Sequence, residues 1–380
     1  MPVTQSLDER VRNLAALEPS PFPVVSLYLD LRANQHGRDD YGAFVRKVLP
    51  ERLKGLPQQS VERESFERDI TGIQAYLNSQ VDRAANGLAL FACSGAGLFE
   101  AVQLDAPIEQ HWLFIGTVPH LYPLARLITM YPRYAAVLLD TNKARIFVFG
   151  LAALERSEQV TGEKTRRHSQ GGWSQARYQR HIENLHLQHV KDVIDNLETL
   201  VREEQIDHIV AAGSAEALAL LRDNLPAPLA AKLEATTKLD LTASDAEVLQ
   251  ATLESFRERD AETDAGRVEE LLSAWRSGGL GVAGPEATLR ALELGQVDEL
   301  VIAGSPDTLK PVQRVPDESV VGPVQADTSA PQGAGDEGRI TLSSELILRA
   351  EQTGARIRFI DDPALLADIG GVGALLRFRI

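Results

Sequence analysis

The sequence predicts a mixed α/β (α+β) protein of three domains, on the basis of three observations. The chain has 380 residues, more than one hydrophobic core usually holds. Segments with the β-branched and aromatic content of strands are interspersed with segments whose apolar residues recur every three or four positions, as in helices. An apolar stretch that ends in Gly-Ser occurs twice, at residues 206–214 and 297–305. Each copy follows a predicted helix, and this recurrence of a helix-to-strand step favours two separate α/β layers.

The composition is that of a soluble globular protein. Hydrophobic residues make up 44% of the chain and charged residues 24%. The single cysteine, Cys93, cannot form an intrachain disulfide, which fits a reducing compartment. The first residues lack the order of a signal peptide, and no apolar run is long enough to span a bilayer. We therefore expect a cytoplasmic protein with no membrane partner.

Residues 1–130 are predicted to form an N-terminal α/β domain. Three segments have helical spacing of apolar residues, and three others have the content of strands. The helices are expected at 7–17, 40–53 and 61–77, and the strands at 24–29, 87–93 and 97–104.

Residues 131–240 are predicted to form a middle domain. Two apolar runs, 135–140 and 144–150, are joined by Thr141-Asn142-Lys143 and predict a hairpin, which a third strand follows at 154–160. A polar loop at 161–174 then leads into a long amphipathic helix at 175–204.

Residues 241–380 are predicted to form the third domain. Ser244 and Glu247 have the spacing of a capping box for a helix at 245–259. Further helices are expected at 266–276 and 285–294, with strands around Leu300 and at 356–360. The composition of 311–338 is rich in Pro, Gly, Asp and Ser, which predicts a flexible insertion without regular structure.

Positive charge is concentrated in one segment of an acidic chain. The formal net charge is −15, which by itself argues against nucleic acid as a partner. Residues 161–191 nevertheless hold six bases and two acids, a balance of +4 that leaves −19 for the rest of the chain. The bases are Lys164, Arg166, Arg167, Arg177, Arg180 and Lys191. One basic segment on an acidic body is what a protein needs if a single part of it touches RNA.

Four features together resemble the archaeo-eukaryotic peptide-release-factor and Pelota family, and most closely its bacterial branch, which includes hibernation factors of the Balon type. They are the hairpin around residues 140–144, the Gly171-Gly172 loop followed by Gln175 and a basic helix start, the stretch 291–300, and the ending 370–378. The resemblance covers residues 134–380. It implies a release-factor middle domain and a C-terminal domain of the ribosomal-protein L-thirty-e type.

The resemblance also implies a site. Gly171 and Gly172 would shape the tip of a loop that enters the peptidyl transferase centre, and Gln175 would orient or exclude water there with its amide. Phosphates of ribosomal RNA or tRNA would be bound by the bases Lys164, Arg166, Arg167, Arg177 and Arg180. Trp173 would stack on a base. From the residues alone, a Gly-Gly pair is equally typical of a flexible loop, and these bases are equally typical of a solvated face.

The sequence departs from the family pattern in ways that leave several functions open. Release factors carry Gln directly after Gly-Gly, whereas Trp173 and Ser174 intervene here. The family's stop-codon-reading motif is absent, so decoding of stop codons is not expected. The first hypothesis is a ribosome-binding factor that hydrolyses peptidyl-tRNA in rescue. The second is a non-catalytic hibernation factor that occupies the A site, and the third is an RNA-binding or scaffolding protein that never reaches the ribosome. Family members often arrive with a translational GTPase, so the resemblance implies such a partner.

No cofactor or metal is expected. The sequence contains neither a Walker loop nor a Gly-x-Ser-x-Gly nucleophile motif. His181, His186 and His189 share one predicted helix, but no cysteine lies near them, and His189 continues the apolar stripe. A partly buried structural histidine is the favoured interpretation. Cys93 ends a predicted strand, so we interpret it as a core residue.

Overall fold

The computed structural model describes residues 7–33, 41–161, 175–311 and 334–379. For 175–179 and 334–340 it describes the backbone alone. The chain divides into two compact units. One comprises Met1–Thr129 together with Asp264–Ile380, and the other comprises Met130–Thr263.

The N-terminal part of the first unit is a four-stranded antiparallel sheet with helices packed on it. Its elements are α1 (Leu7–Ala15), β1 (Val24–Asp30), α2 (Tyr41–Lys54), α3 (Val61–Ser79), β2 (Gly87–Cys93), β3 (Leu98–Leu104), β4 (Trp112–Gly116) and α4 (Tyr122–Met130). The strands lie in the order β3-β2-β1-β4. Phe44 from α2 and Phe66 from α3 are buried in one cluster with Leu27 and Leu90 from the sheet. Ser60 caps α3 by accepting a hydrogen bond from the Arg63 N–H at 3.1 Å.

The second unit is built on a five-stranded mixed sheet. Its elements are β5 (Tyr134–Leu139), β6 (Lys143–Gly150), β7 (Ala153–Thr161), α5 (Gln175–Glu203), β8 (His208–Gly213), α6 (Ala215–Asn224), α7 (Ala227–Ala230), β9 (Leu233–Thr237) and the first part of α8 (Asp245–Arg276). The strand order is β7-β6-β5-β8-β9. The strands β5, β6 and β7 form an antiparallel meander, whereas β8 is parallel to both β5 and β9.

Both faces of this second sheet are covered. Val193 and Leu197 of α5 share a buried cluster with Val137, Ile146 and Ile209 from the strands. A separate cluster on alternate strand residues contains Val248 and Phe256 of α8. Because successive side chains of a strand point to opposite faces, these two clusters lie on the two sides of the sheet.

The C-terminal part of the first unit contains the third sheet. Its elements are β10 (Gly281–Ala283), α9 (Pro285–Glu293), β11 (Val297–Ala303), α10 (Ala334–Thr353), β12 (Arg356–Ile360) and β13 (Val372–Leu376), in the strand order β10-β13-β11-β12. Val268 and Leu271, from the last part of α8, are buried against Val301 and Leu375 of this sheet.

Two hydrogen bonds within the first unit join its sequence-distant parts. The Tyr122 hydroxyl donates to the Ala303 carbonyl at 2.7 Å, and the Gln352 side chain donates to the Ala15 carbonyl at 2.8 Å. These contacts explain why residues from both ends of the chain form one unit, a grouping that the sequence did not predict.

The predicted α/β class is confirmed, and most predicted elements occur within a few residues of their expected bounds. The capping box is confirmed as well, since Ser244 N donates to the Glu247 carboxylate at 2.7 Å. The two helices expected at 245–259 and 266–276 are instead one continuous helix, α8. Of the insertion expected at 311–338, residues 312–333 lie outside the described part of the chain, and α10 already begins at Ala334.

Segment 241–263 belongs to the second unit, although the expected domain boundary was at 240. Buried contacts explain this placement. Tyr134 of β5 lies with its hydroxyl 2.9 Å from the Thr252 hydroxyl, and Arg145 of β6 donates to the Ala243 carbonyl at 2.6 Å.

Candidate functional site

The predicted site lies on the connection between β7 and α5. The strand ends at Thr161 and the helix begins at Gln175. Six of the predicted site residues fall between them, outside the described residues: Lys164, Arg166, Arg167, Gly171, Gly172 and Trp173. The structure does describe the two points from which this loop leaves the domain, and they define its surroundings.

The loop leaves the sheet beside the hairpin turn between β5 and β6. Thr161 is paired with Lys143, the first residue of β6. Within the turn, one carboxylate oxygen of Asp140 accepts hydrogen bonds from the N–H groups of Asn142 and Lys143, each at 2.7 Å. The Asp140 N–H donates to the Lys143 carbonyl at 2.9 Å. An aspartate that accepts hydrogen bonds from the next backbone N–H groups fixes the turn. The end of β7, from which the loop leaves, therefore lies beside a rigid turn.

The same edge of the sheet holds the carboxyl ends of the parallel strands β5 and β8. Leu139 is paired with Gly213 there, and the Leu139 carbonyl accepts a hydrogen bond from Ser214 N at 3.2 Å. Gly213 has φ 145°, and a Cβ at this position would collide with the Leu139 carbonyl oxygen. Only glycine allows so close an approach. Ser214 then caps α6 by accepting from Ala217 N at 3.3 Å. Carboxyl ends of parallel strands are a frequent position for binding sites in α/β folds.

The helix α5 carries the loop's far end and is long for a domain of this size. It has 29 residues, and at 1.5 Å per residue it measures about 43 Å. No residue from Arg180 to Gln188 is buried, whereas His189 and Val190 begin the buried stretch that packs on the sheet. Since α5 runs back to the start of β8, its first turns lie at the carboxyl-end edge. His186 lies 3.4 Å from Glu216 in the first turn of α6, which places this part of α5 beside the strand ends.

The start of α5 has the charge opposite to the one that stabilises a helix. Its first turn contains no acid, and it carries Arg177, with the exposed Arg180 one turn later. Positive charge near a helix N-terminus is unfavourable by about 0.3–1 kcal/mol, because it adds to the positive end of the helix dipole. The first four N–H groups of the helix, beginning at Gln175, also have no partner within the helix. This arrangement destabilises the start of the helix and favours the binding of an anionic partner there.

The opposite end of α5 is fixed by an ionic network. Arg133, next to β5, donates to the Glu204 carboxylate at 2.8 Å and to the Glu155 carboxylate at 2.7 Å. Arg156 of β7 donates to the other Glu204 oxygen at 2.8 Å. Hydrogen bonds from Arg133, followed by those from Arg156, lower the pKa of Glu204 below its ordinary value. The network holds the C-terminal end of the helix to β7, whose own end carries the loop.

The histidines of α5 do not form a metal site in the described part of the chain, where no group of three potential ligands occurs. His181 is exposed, and His189 is 2% exposed with neither ring nitrogen bonded to any described residue. Cys93 is fully buried near Ser20, as expected for a core residue. Across the described residues, no helix has the length and apolar character needed to cross a membrane.

Comparison with known proteins shows which family the segment around the loop resembles. Residues 119–257 match the family model described as bacterial archaeo-eukaryotic release factor family 10. This segment of the chain is therefore of the bacterial archaeo-eukaryotic release factor type. The release-factor match begins just before α4 and ends inside α8, so it includes the hairpin, the loop and α5. The comparison with curated proteins gave no match.

Solved structures similar to this chain come from archaea and yeast. Pelota from Archaeoglobus fulgidus is 13% identical, with 100% of this chain and 94% of that chain covered and a TM-score of 0.35. S. cerevisiae Dom34, a translation termination-like factor, is 8% identical, with 99% and 93% covered and a TM-score of 0.39. A ribosome-bound archaeal Pelota is 13% identical, with 99% and 95% covered and a TM-score of 0.41.

The residues that position the ends of this loop were not predicted from the sequence. Arg133 and Glu204 are 71 positions apart, and Arg145 and its carboxylate partner Asp245 are 100 apart. No local pattern marks such pairs. Only the family match, which runs past 240 to residue 257, indicates that the start of α8 belongs with the hairpin.

Proposed function

We propose that this chain is a ribosome-binding translation factor that enters the A site and presents the loop between β7 and α5 to the peptidyl transferase centre. There it promotes hydrolysis of peptidyl-tRNA in ribosome rescue. The observation that carries the proposal is the release-factor match over the segment that contains this loop. The factor works in the cytoplasm, where a translational GTPase delivers it.

Within this proposal, each of the predicted site residues has a role. Gly171 and Gly172 allow a narrow tip with positive φ, and Gln175 brings an amide and a backbone N–H to the ester carbonyl. Donors placed where the oxyanion develops stabilise the transition state of acyl transfer. The basic residues Lys164, Arg166, Arg167, Arg177 and Arg180 bind RNA phosphates, and Trp173 stacks on a base. The stretch of α5 from Arg180 to Gln188, in which no residue is buried, supports this role, because a helix that leaves the core can hold the end of the loop away from it.

The second candidate function is a hibernation factor that occupies the same place without catalysis. The observation that favours it is the insertion of Trp173 and Ser174 between Gly172 and Gln175. Gln175 is consequently the first residue of α5, with its backbone already helical. A glutamine held in a helix is displaced from a tip formed by two preceding glycines.

Ribosome sedimentation tests the shared part of both functions. The full chain should co-sediment with ribosomes whose A site is empty, and an aminoacyl-tRNA in the A site should displace it. Failure to co-sediment with empty ribosomes, with and without a translational GTPase, would leave the third hypothesis, an RNA-binding or scaffolding protein. Co-sedimentation unaffected by A-site tRNA would place the factor elsewhere on the ribosome.

A further inference from the structure

One end of the third sheet carries an unusual set of exposed apolar side chains. Eight large hydrophobic residues are exposed among the described residues, and four of them lie at this end: Trp275, Leu280, Leu294 and Phe378. Their exposed fractions are between 44% and 50%. The other four are scattered over α1, α3, β3 and β7 or the residues next to these elements.

Backbone pairing brings these four residues to the same edge. The Leu376 N–H donates to the Leu280 carbonyl at 3.0 Å, just before β10 begins. The next residue of the chain, Arg377, donates its N–H to the Gln296 carbonyl at 2.7 Å, just before β11 begins. Phe378 follows directly, and Leu294, the first residue after α9, lies two residues before Gln296.

Trp275 joins this edge through the end of α8. The turn after the helix is closed by bonds from Gly278 N to the Trp275 carbonyl at 3.0 Å and from Gly279 N to the Ala274 carbonyl at 2.8 Å. The guanidinium of Arg379 bonds the carbonyls of Gly278 and Gly279. The chain after β13 is thereby attached to the turn that follows Trp275.

The charge of this edge is opposite to that of the whole chain. In segments 275–280, 293–298 and 377–379 the three arginines Arg276, Arg377 and Arg379 outnumber the two acids Glu293 and Asp298, in a chain of net charge −15. The carbonyls that hold Arg379 orient its guanidinium without neutralising it. Arg377 lies 3.7 Å from Asp298, an acid that it shares with Arg356. Clustered tryptophan, phenylalanine and arginine are typical of the central residues of protein interfaces.

We propose that this edge, formed by Trp275, Leu280, Leu294 and Phe378 with the three arginines, binds an acidic amphipathic segment of another protein. Exposed apolar clusters rimmed by charge mark interaction surfaces. The arginines select against a second copy of this chain, because a twofold contact places the same patch, and the same charge, opposite itself. In an acidic segment with spaced apolar residues, the acids would pair with the arginines and the apolar side chains would pack on the four apolar residues. The inference is independent of the release-factor loop, which lies in the other unit.

The test uses the full chain and three synthetic helical peptides, with binding measured by fluorescence polarisation. The first carries Leu and Phe at i, i+3, i+4 and i+7 with Asp and Glu between them. In the second, Lys replaces the acids, and in the third, Ser replaces the apolar residues. We expect the first peptide alone to bind, and its affinity to fall as salt rises because the arginine contacts are screened.

Variants then locate the binding. The double variant Leu294→Ser/Phe378→Ser should weaken binding of the acidic peptide about tenfold or more, because both anchors contact it. Arg379→Glu should weaken it and remove part of the salt dependence. The control Leu17→Ser/Phe99→Ser removes the same two side-chain types from exposed positions elsewhere and should leave the affinity unchanged. Thermal unfolding confirms that all variants are folded.

Several results would overturn the proposal. Absence of binding by the acidic peptide would do so, as would equal binding of the lysine peptide or equal loss in the control variant. Sedimentation equilibrium that shows a dimer lost in Leu294→Ser/Phe378→Ser would assign the edge to self-association. Binding of a single-stranded RNA oligonucleotide that depends on Phe378 and Arg379 would assign it to nucleic acid.

Discussion

Arg133, the residue before the first strand of the second unit, binds Glu204, the residue after its long helix, with Nη2 and Oε2 at 2.8 Å. Arg133 also donates to the Glu204 backbone carbonyl at 2.5 Å. This pair fixes the end of α5 that lies opposite the loop. A helix held at one end and packed on the sheet along its second half can present its first turns as a rigid support.

Replacing Glu204 by Gln should destabilise the protein in a pH-dependent way. The pKa of Glu204 is lowered by hydrogen bonds from Arg133 and Arg156, so its contribution is complete above the ordinary carboxylate range and is lost as pH falls through the lowered value. We expect the wild type to be more stable by about 1 kcal/mol at neutral pH, and the difference to shrink in acid. Urea unfolding of both proteins across the acid range measures this. Glu203→Gln is the matched control, since Glu203 lies 3.7 Å from Arg156 and is more exposed; an equal effect there would remove the special role of Glu204.

The buried pair Tyr134 and Thr252 should behave as a unit. Their hydroxyl oxygens lie 2.9 Å apart, and burial raises the pKa of Tyr134 to about 12. Thr252→Val should cost about 1–3 kcal/mol, because it leaves the tyrosine hydroxyl buried and unpaired. Adding Tyr134→Phe should recover part of that loss.

A double-mutant cycle by chemical denaturation measures this coupling. Thr263→Val, at an exposed position of the same helix, serves as the control and should change stability little. Additive losses in the cycle would show that the start of α8 is not held to β5 through this hydroxyl pair.

The basic residues around the loop should govern ribosome binding. Changing Arg166, Arg167 and Arg177 to Glu should weaken co-sedimentation and flatten its dependence on salt, because fewer counterions are released from RNA phosphates. The control changes Arg68, Arg83 and Lys238 to Glu, which gives the same change in net charge at exposed positions elsewhere. If the two triple variants bind equally across a salt series, the segment has no specific contact with RNA.

The elements that the sequence predicted correctly are those marked by local signals. The strands β2 and β12 lie within the bounds that their apolar content predicted, and Ser244 with Glu247 correctly marked the start of α8. The continuity of α8 was missed because residues 260–266 contain no large apolar residue and include Gly266. A glycine in a helix costs about 1 kcal/mol, a loss that burial of Phe256 before it and Val268 after it can offset.

Other elements were missed because their stability comes from distant partners. The strand β13 contains Gly373 and follows Gly370-Gly371, so it has the composition of a loop, yet it is hydrogen-bonded between β10 and β11. Likewise, nothing near Tyr122 in the sequence indicates its bond to Ala303. For the site, Gly-Gly and the basic residues were visible in the sequence, whereas Arg133, Glu204 and Gly213, which fix its surroundings, are recognisable only in the folded chain.

The central claim is tested most directly by release of labelled peptide from ribosomes that carry peptidyl-tRNA in the P site. The unmutated factor, with a translational GTPase, should release the peptide. Gln175→Ala should reduce release about a hundredfold while binding stays nearly intact, because the side chain acts mainly in the transition state. Gly172→Ala should also reduce release if that residue has positive φ. If the unmutated factor saturates these ribosomes and releases nothing, with or without the GTPase, the hydrolytic function is wrong and occlusion of the A site takes its place.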